Sequence, residues 1–199
     1  MKKFILAFVR GIYRLLFRIE MVGFENIPKD KNFLVIPNHL SYFDPPLIAA
    51  FLPVDMAYMA KASLFRVPIV GSVIKAFGAF PVKNTGSDMS AVKLAIRILK
   101  GGKSLTMFPE GRRVKTPGVL GKGKQGAAMI AAKAGVGFLP VGIETTYKFR
   151  SKVKLTVGEY IDFSQYSEKR LSSEELQQVT DEILMPKIAE LAGAKVYGN

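Results

Sequence analysis

The chain has no cysteine and a single histidine among its 199 residues. Without cysteine there is no disulfide, no thiolate metal site and no cysteine nucleophile. One histidine excludes a histidine-rich metal cluster. Negative charge is scarce as well: 16 Asp and Glu stand against 29 Lys and Arg, a formal net charge of +13. That imbalance favours polyanionic partners, whether nucleic acid, an anionic membrane surface or a phosphorylated substrate. Zinc-finger spacing and RNA-recognition signatures are both missing, so the membrane outranks nucleic acid and no nucleic-acid partner is expected. With 49% hydrophobic residues, disorder is excluded and one domain with a sizeable core is expected.

A clean membrane-spanning run is also lacking. Residues 2–19 are apolar, but Arg10, Arg14 and Arg18 interrupt them at a spacing of four. On one helix these arginines form a single basic stripe, with Phe4, Phe8, Leu15 and Ile19 on other faces. Eighteen helical residues reach roughly 27 Å, near the lower limit for spanning. Arginines at mid-bilayer are costly. The expected element is therefore an interfacial amphipathic helix over residues 1–20, holding the protein peripherally on the cytoplasmic face of the cell membrane. A helix packed on the protein's own core is the alternative. A signal peptide is disfavoured because Phe4–Val9 is short and no small-residue cleavage site follows.

Beyond this helix, residues 21–199 read as one α/β domain, with a mainly parallel or mixed sheet flanked by helices. Strands are expected at 32–37, 55–60, 78–83, 103–108, 137–143 and 152–158. Helices are expected at 45–52, 67–76, 87–100, 123–134 and 173–192, the last kinked or split by Pro186. The helix at 87–100 is well marked: Ser87 or Asp88 caps it and Gly101-Gly102 ends it.

Three segments carry chemistry. The lone histidine lies in Asn38-His39-Leu40-Ser41-Tyr42-Phe43-Asp44, just past the carboxyl end of an expected strand, where open α/β sheets place their sites. Imidazole takes a proton near neutral pH, and a nearby carboxylate fixes its tautomer. Asp44-Pro45-Pro46 equally reads as a helix start, with Asp44 as N-cap and Pro45 at N1. The second segment, Phe108-Pro109-Glu110-Gly111-Arg112-Arg113, follows an apolar strand. Its glycine and arginines suit an anion site, or else a solvated turn. The third is Phe138-Leu139-Pro140-Val141-Gly142, where proline suggests a strand edge or bulge.

The order and spacing of these segments resemble the glycerolipid acyltransferase family over residues 20–160. The likeness extends to Lys61-Ala62-Ser63-Leu64-Phe65, to Gly78-Ala79-Phe80-Pro81-Val82 and to Gly126-Ala127-Ala128. It implies acyl transfer from an acyl carrier protein or coenzyme A thioester to a lysophospholipid hydroxyl, 1-acylglycerol 3-phosphate foremost. It also implies no metal and no bound organic cofactor. His39 would be the general base and Asp44 its orienting partner. Glu110, Gly111 and Arg113 would help hold the glycerol phosphate, Lys61 would be a second phosphate ligand, and Pro140 would shape the acyl-donor site.

Two positions depart from the family pattern. Arg112 replaces the usual threonine, and Asn84 stands at an arginine position beside Lys83, which would supply the charge without arginine's bidentate fork. The acceptor headgroup therefore stays open at this point, between 1-acylglycerol 3-phosphate, another lysophospholipid, a lyso-aminolipid and glycerol 3-phosphate. A non-catalytic basic membrane-surface protein would account for the charge, but not for His39, Asp44 and Glu110 together.

Overall fold

In the computed structural model the described residues are 2–82, 88–114, 116, 118–166, 169 and 171–196. Leu34-Val35-Ile36-Pro37, apolar at every position, forms a strand with no exposed face. It lies near the centre of a seven-stranded sheet built from β1 (Arg18–Val22), β2 (Leu34–Pro37), β3 (Met56–Lys61), β4 (Ala79–Val82), β5 (Ser104–Thr106), β7 (Phe138–Thr145) and β8 (Lys152–Val157). The strand order is β1-β8-β7-β2-β5-β3-β4. All neighbours are parallel except β7 and β8. A separate parallel pair joins β6 (Val119–Leu120) to β9 (Lys195–Val196).

Parallel neighbours need crossovers, and helices provide them. These are α2 (Asp44–Phe51), α3 (Val70–Ala76), α4 (Met89–Lys100) and α5 (Gly126–Ala134). With α1 (Lys2–Leu16), α6 (Ser173–Val179) and α7 (Met185–Leu191) they cover both faces of the sheet. Leu34 and Ile36 join Leu105 and Phe138 in a core with α4, α5 and α7. Val35, between them, points the other way, to Tyr13, Leu47, Ile48 and Leu139. Alternation with both sides buried is why these strands read as unbroken apolar runs.

The expected elements form, with small shifts at their ends. Asp88 caps α4 through its side chain, accepting from Ser90 N at 3.1 Å and Ala91 N at 3.2 Å. Pro186 splits the last helix: α6 passes through a π-turn over Thr180–Leu184 into α7. Proline has no N–H to offer the preceding turn. One helix boundary comes out differently. The first helix stops at Leu16, and Arg18 begins β1, paired in parallel with Lys152 of β8. Pairing with a strand far along the chain overrides local helical periodicity. Arg18 is therefore no part of a helical stripe, and the expected boundary at residue 20 falls inside a strand. Pro140 stands just beyond the end of the antiparallel β7–β8 ladder, which runs from Val141 to Thr145, so its missing N–H breaks no bond of that ladder.

Candidate active site

The carboxyl ends of β2, β5 and β7 lie side by side, and the polar residues gather there. Asn38 follows β2 directly and is buried. Its side-chain amide donates to Ile143 O at 2.9 Å and accepts from Ile143 N at 2.7 Å. One side chain thus extends the β2–β7 pairing by a step and fixes the departing chain. His39 comes next, with both main-chain polar groups held. Its N–H donates to Glu110 Oε1 at 2.7 Å, and its carbonyl accepts from Val114 N at 2.8 Å.

The imidazole stacks on Phe108, with ring centroids 4.0 Å apart and planes 24° apart. Its Nδ1 lies 2.9 Å from Asp44 Oδ2. Asp44 has no solvent exposure. Burying a carboxylate requires partners, and four donors surround this one. Oδ2 meets His39 Nδ1, Leu40 N at 2.6 Å and Ser41 N at 2.7 Å. Oδ1 accepts the Tyr147 hydroxyl at 2.5 Å. The expected capping role does not appear. Phe43 occupies the N-cap of α2 without a side-chain cap bond, and Asp44 is already the first helical residue. Its carboxylate turns back into the loop, where the loop N–H groups and the imidazole compete for it more effectively than the helix end does. The positive end of the α2 dipole still favours a negative charge there.

Glu110 is almost fully buried. Oε1 takes the His39 N–H, and Oε2 takes the Gly121 N–H at 2.6 Å. A Cβ at residue 121 would come within 2.9 Å of Oε2, so glycine is needed for that approach. Burial pushes the Glu110 carboxyl above its ordinary range, outweighing the two N–H bonds that favour the anion. Burial, then the Asp44 charge, pushes the Tyr13 and Tyr147 hydroxyls far up, so both are neutral donors at any working pH.

Of the expected site residues, His39, Asp44 and Glu110 come together, joined by hydrogen bonds. Gly111 turns the chain after Glu110 with φ +65°, beneath the Lys124 side chain. Arg113 holds its guanidinium 3.5 Å from the Tyr42 ring centroid. Lys61 closes β3, exposed, with β5 between its strand and β2. Pro140 sits inside the sheet, paired with Ile36. Lys83 lies outside the described residues. Sequence reasoning missed the contacts of Asn38, Gly121 and Tyr147. The available signal was position: residues 145–147 leave a strand at the same sheet edge as His39. Among the described residues, no three His, Asp or Glu side chains gather as a metal site.

Asp44 can hold the imidazole in the tautomer that carries hydrogen on Nδ1. The other ring nitrogen, Nε2, is then a base. An Asp-oriented imidazole beside an arginine-bearing turn suits attack by a hydroxyl on an activated carbonyl.

Comparison with known proteins agrees with this chemistry. The family model described as Acyltransferase matches residues 18–144. The 1-acyl-sn-glycerol-3-phosphate acyltransferase of Bacillus subtilis (strain 168) is 30% identical over 198 residues, covering 96% of each chain. The enzyme of the same name from Streptococcus pneumoniae is 33% identical over 167 residues, covering 80% of this chain and 61% of its own. The crystal structure of the 1-acyl-sn-glycerophosphate (LPA) acyltransferase from Thermotoga maritima superposes with a TM-score of 0.75 at 33% identity, over 96% of this chain and 79% of that one. The chain belongs to the acyltransferase family.

Proposed function

We propose that the protein transfers a fatty acyl group from an acyl thioester to the free hydroxyl of 1-acylglycerol 3-phosphate, giving phosphatidic acid for phospholipid synthesis. The observation that carries this reading is the His39 Nδ1 contact with the fully buried Asp44 carboxylate, 2.9 Å long, at the carboxyl end of a central strand. The names of the relatives supply the acceptor.

In this mechanism His39 Nε2 takes the acceptor hydroxyl proton while that oxygen bonds to the thioester carbonyl carbon. Asp44 stabilises the imidazolium that forms. The tetrahedral oxyanion collapses, the C–S bond breaks, and the thiolate leaves with the proton from His39. Transfer is direct, without an acyl-enzyme, so both substrates bind together. Arg113 and Lys61 take the acceptor phosphate, and Lys83 adds charge. Glu110 and Gly111 contribute through the loop they shape, and Pro140 through the floor of the donor site. The donor is acyl carrier protein or coenzyme A thioester; both are anionic and suit a chain of net charge +13.

The acceptor lies in a lipid surface, and α1 supplies an apolar face for it. Phe4, Phe8 and Leu15 are 81%, 69% and 67% exposed, while Tyr13 on the opposite side is buried. One face of α1 thus packs on the core while the other stays exposed, which supports an interfacial role for the outer face. Among the described residues no helix is long and apolar enough to cross a membrane. The proposed attachment is peripheral, on the cytoplasmic face, with Arg14 near the headgroups, while Arg10 donates to Ala50 O of α2.

Arg112, in place of the usual threonine, favours testing other acceptors for the same transfer. Purified protein assayed against 1-acylglycerol 3-phosphate, other lysophospholipids, a lyso-aminolipid and glycerol 3-phosphate settles the choice. Fastest turnover is expected with the first. Preference for another acceptor would replace the substrate and keep the chemistry.

A further inference from the structure

Tyr147 lies two residues past the end of β7, outside every motif read from the sequence. Its φ is +52°, a left-handed conformation that glycine and asparagine adopt far more readily than tyrosine. Thr145 supports this bend, its Oγ1 accepting from Tyr147 N at 3.0 Å. The bend carries the phenol inward, across 103 positions of chain, to Asp44 Oδ1 at 2.5 Å. The ring is wedged against Phe17 and Phe43, at centroid distances of 5.5 and 5.4 Å. Those contacts hold the hydroxyl in one place.

From this geometry we infer that Tyr147 is a positioning residue of the His39–Asp44 pair, aiming the carboxylate and setting how strongly it supports the imidazolium. The inference rests on the reading of His39 as the base. Asp44 Oδ2 alone is shared among the imidazole and two loop N–H groups. On the other side of the carboxylate the phenol holds Oδ1, so this hydroxyl fixes the rotation of the carboxylate about its own axis. Burial and the Asp44 charge keep the phenol protonated, and it donates throughout the working range. A donor at Oδ1 draws charge from the carboxylate and moderates its pull on the imidazole proton. Beside burial, the Asp44 charge in turn raises the Tyr13 hydroxyl and the Glu110 carboxyl, without touching either. Tyr13 donates instead to Phe43 O at 2.7 Å, and Glu110 accepts main-chain N–H groups.

Three variants of the full chain test this: Tyr147→Phe, Phe17→Leu and His39→Ala, each with melting curves and pH profiles of kcat and kcat/KM. Tyr147→Phe keeps the ring and loses the donor. It is expected to lower kcat about 10- to 100-fold, the scale of one hydrogen bond to a charged group, with both KM values near wild type. The acidic limb of its profile moves to higher pH, because an unmoderated carboxylate holds the imidazolium more tightly. Phe17→Leu disturbs the same packing and lowers the melting temperature, but leaves the limb where it was. Wild-type kcat and an unmoved limb in a folded Tyr147→Phe protein would overturn the inference. So would an equal limb shift in Phe17→Leu, which would make the effect one of packing. Where Tyr147→Phe melts low, its profile and that of wild type are compared at a temperature below both melting points. Activity surviving in His39→Ala would instead remove the base reading itself.

Discussion

Glu110 Oε1 accepts the backbone N–H of His39 at 2.7 Å, a hydrogen bond that ties together two motifs 71 positions apart, beside the stacking of His39 on Phe108. The other oxygen holds Gly121, and Gly121 follows β6, whose partner strand is β9 near the chain's end. Glu110 thus spans from the His39 loop to the β6–β9 pair. Its carboxylate faces main chain on both sides, a geometry suited to placing His39 rather than to contacting an anionic substrate.

Glu110→Gln is therefore expected to act on loop placement. Glutamine has one oxygen, so either His39 N or Gly121 N faces an amide NH2 and is left without an acceptor. The cost is about 1–3 kcal/mol of stability, read from denaturant melts, together with a fall in kcat. The pH dependence has a definite sign. Burial raises the native Glu110 carboxyl, so the folded state binds more protons than the unfolded one as pH rises above the ordinary carboxylate range. That contribution to stability is complete below the unfolded value and is lost as pH climbs through the raised native value. The stability gap between wild type and Glu110→Gln should shrink along that climb. A gap that widens would mean that the native carboxyl titrates below its unfolded value, not above it.

Asp44→Asn separates charge from shape. The asparagine oxygen can keep His39 Nδ1 and the two loop N–H groups, while the Tyr147 hydroxyl rotates to accept from the new NH2 group. The fold should survive with a modest drop in melting temperature. The imidazolium loses its counter-charge, and kcat should fall by about 100-fold or more. Wild-type turnover would leave Asp44 a purely structural buried acid.

Arg113→Ala and Lys61→Ala are expected to raise the acceptor KM more than the donor KM, because the phosphate is a handle remote from the reacting hydroxyl. Arg113 should also cost some kcat, since its guanidinium packs on Tyr42 in the loop between His39 and Asp44. A rise confined to the donor KM would move both residues to the thioester site.

Membrane attachment is best tested by substitution. Deleting residues 1–19 would remove buried Tyr13 and Phe17 and part of β1, unfolding what it means to probe. Replacing exposed Phe4, Phe8 and Leu15 together with glutamine spares the core. Binding to anionic liposomes should drop with unchanged melting. Salt should weaken wild-type binding only in part, because screening removes the arginine attraction of roughly 1 kcal/mol each and leaves the apolar face inserted. Unchanged binding would place the contact elsewhere, with exposed Ile69 the next segment to alter.

The central strands were legible because both their faces are buried, so β2 and β7 announce themselves as apolar runs. The edge strand β1 was not. Arg18-Ile19-Glu20-Met21-Val22 has no run of its own and becomes a strand only by pairing with β8. The same division holds in the site. The His39–Asp44 contact was legible because a five-residue spacing places the two at either end of one short loop. Asn38 with Ile143, Glu110 with Gly121, and Tyr147 with Asp44 depend on which strands lie side by side, and no local pattern encodes that. The alternative reading of Asp44 as an N-cap fails because sequence shows a helix start, but not the direction in which its first carboxylate turns.

The most direct measurement is turnover by purified His39→Ala protein, with an acyl thioester donor and 1-acylglycerol 3-phosphate as acceptor, alongside a melting curve. Removing the imidazole leaves Asp44 the Leu40 and Ser41 N–H groups and the Tyr147 hydroxyl, so a folded protein of somewhat lower stability is expected. Its kcat should fall by at least about 100-fold, and neither substrate KM should change comparably. Near-wild-type turnover by the folded variant would contradict the assignment of His39 as the base that starts acyl transfer.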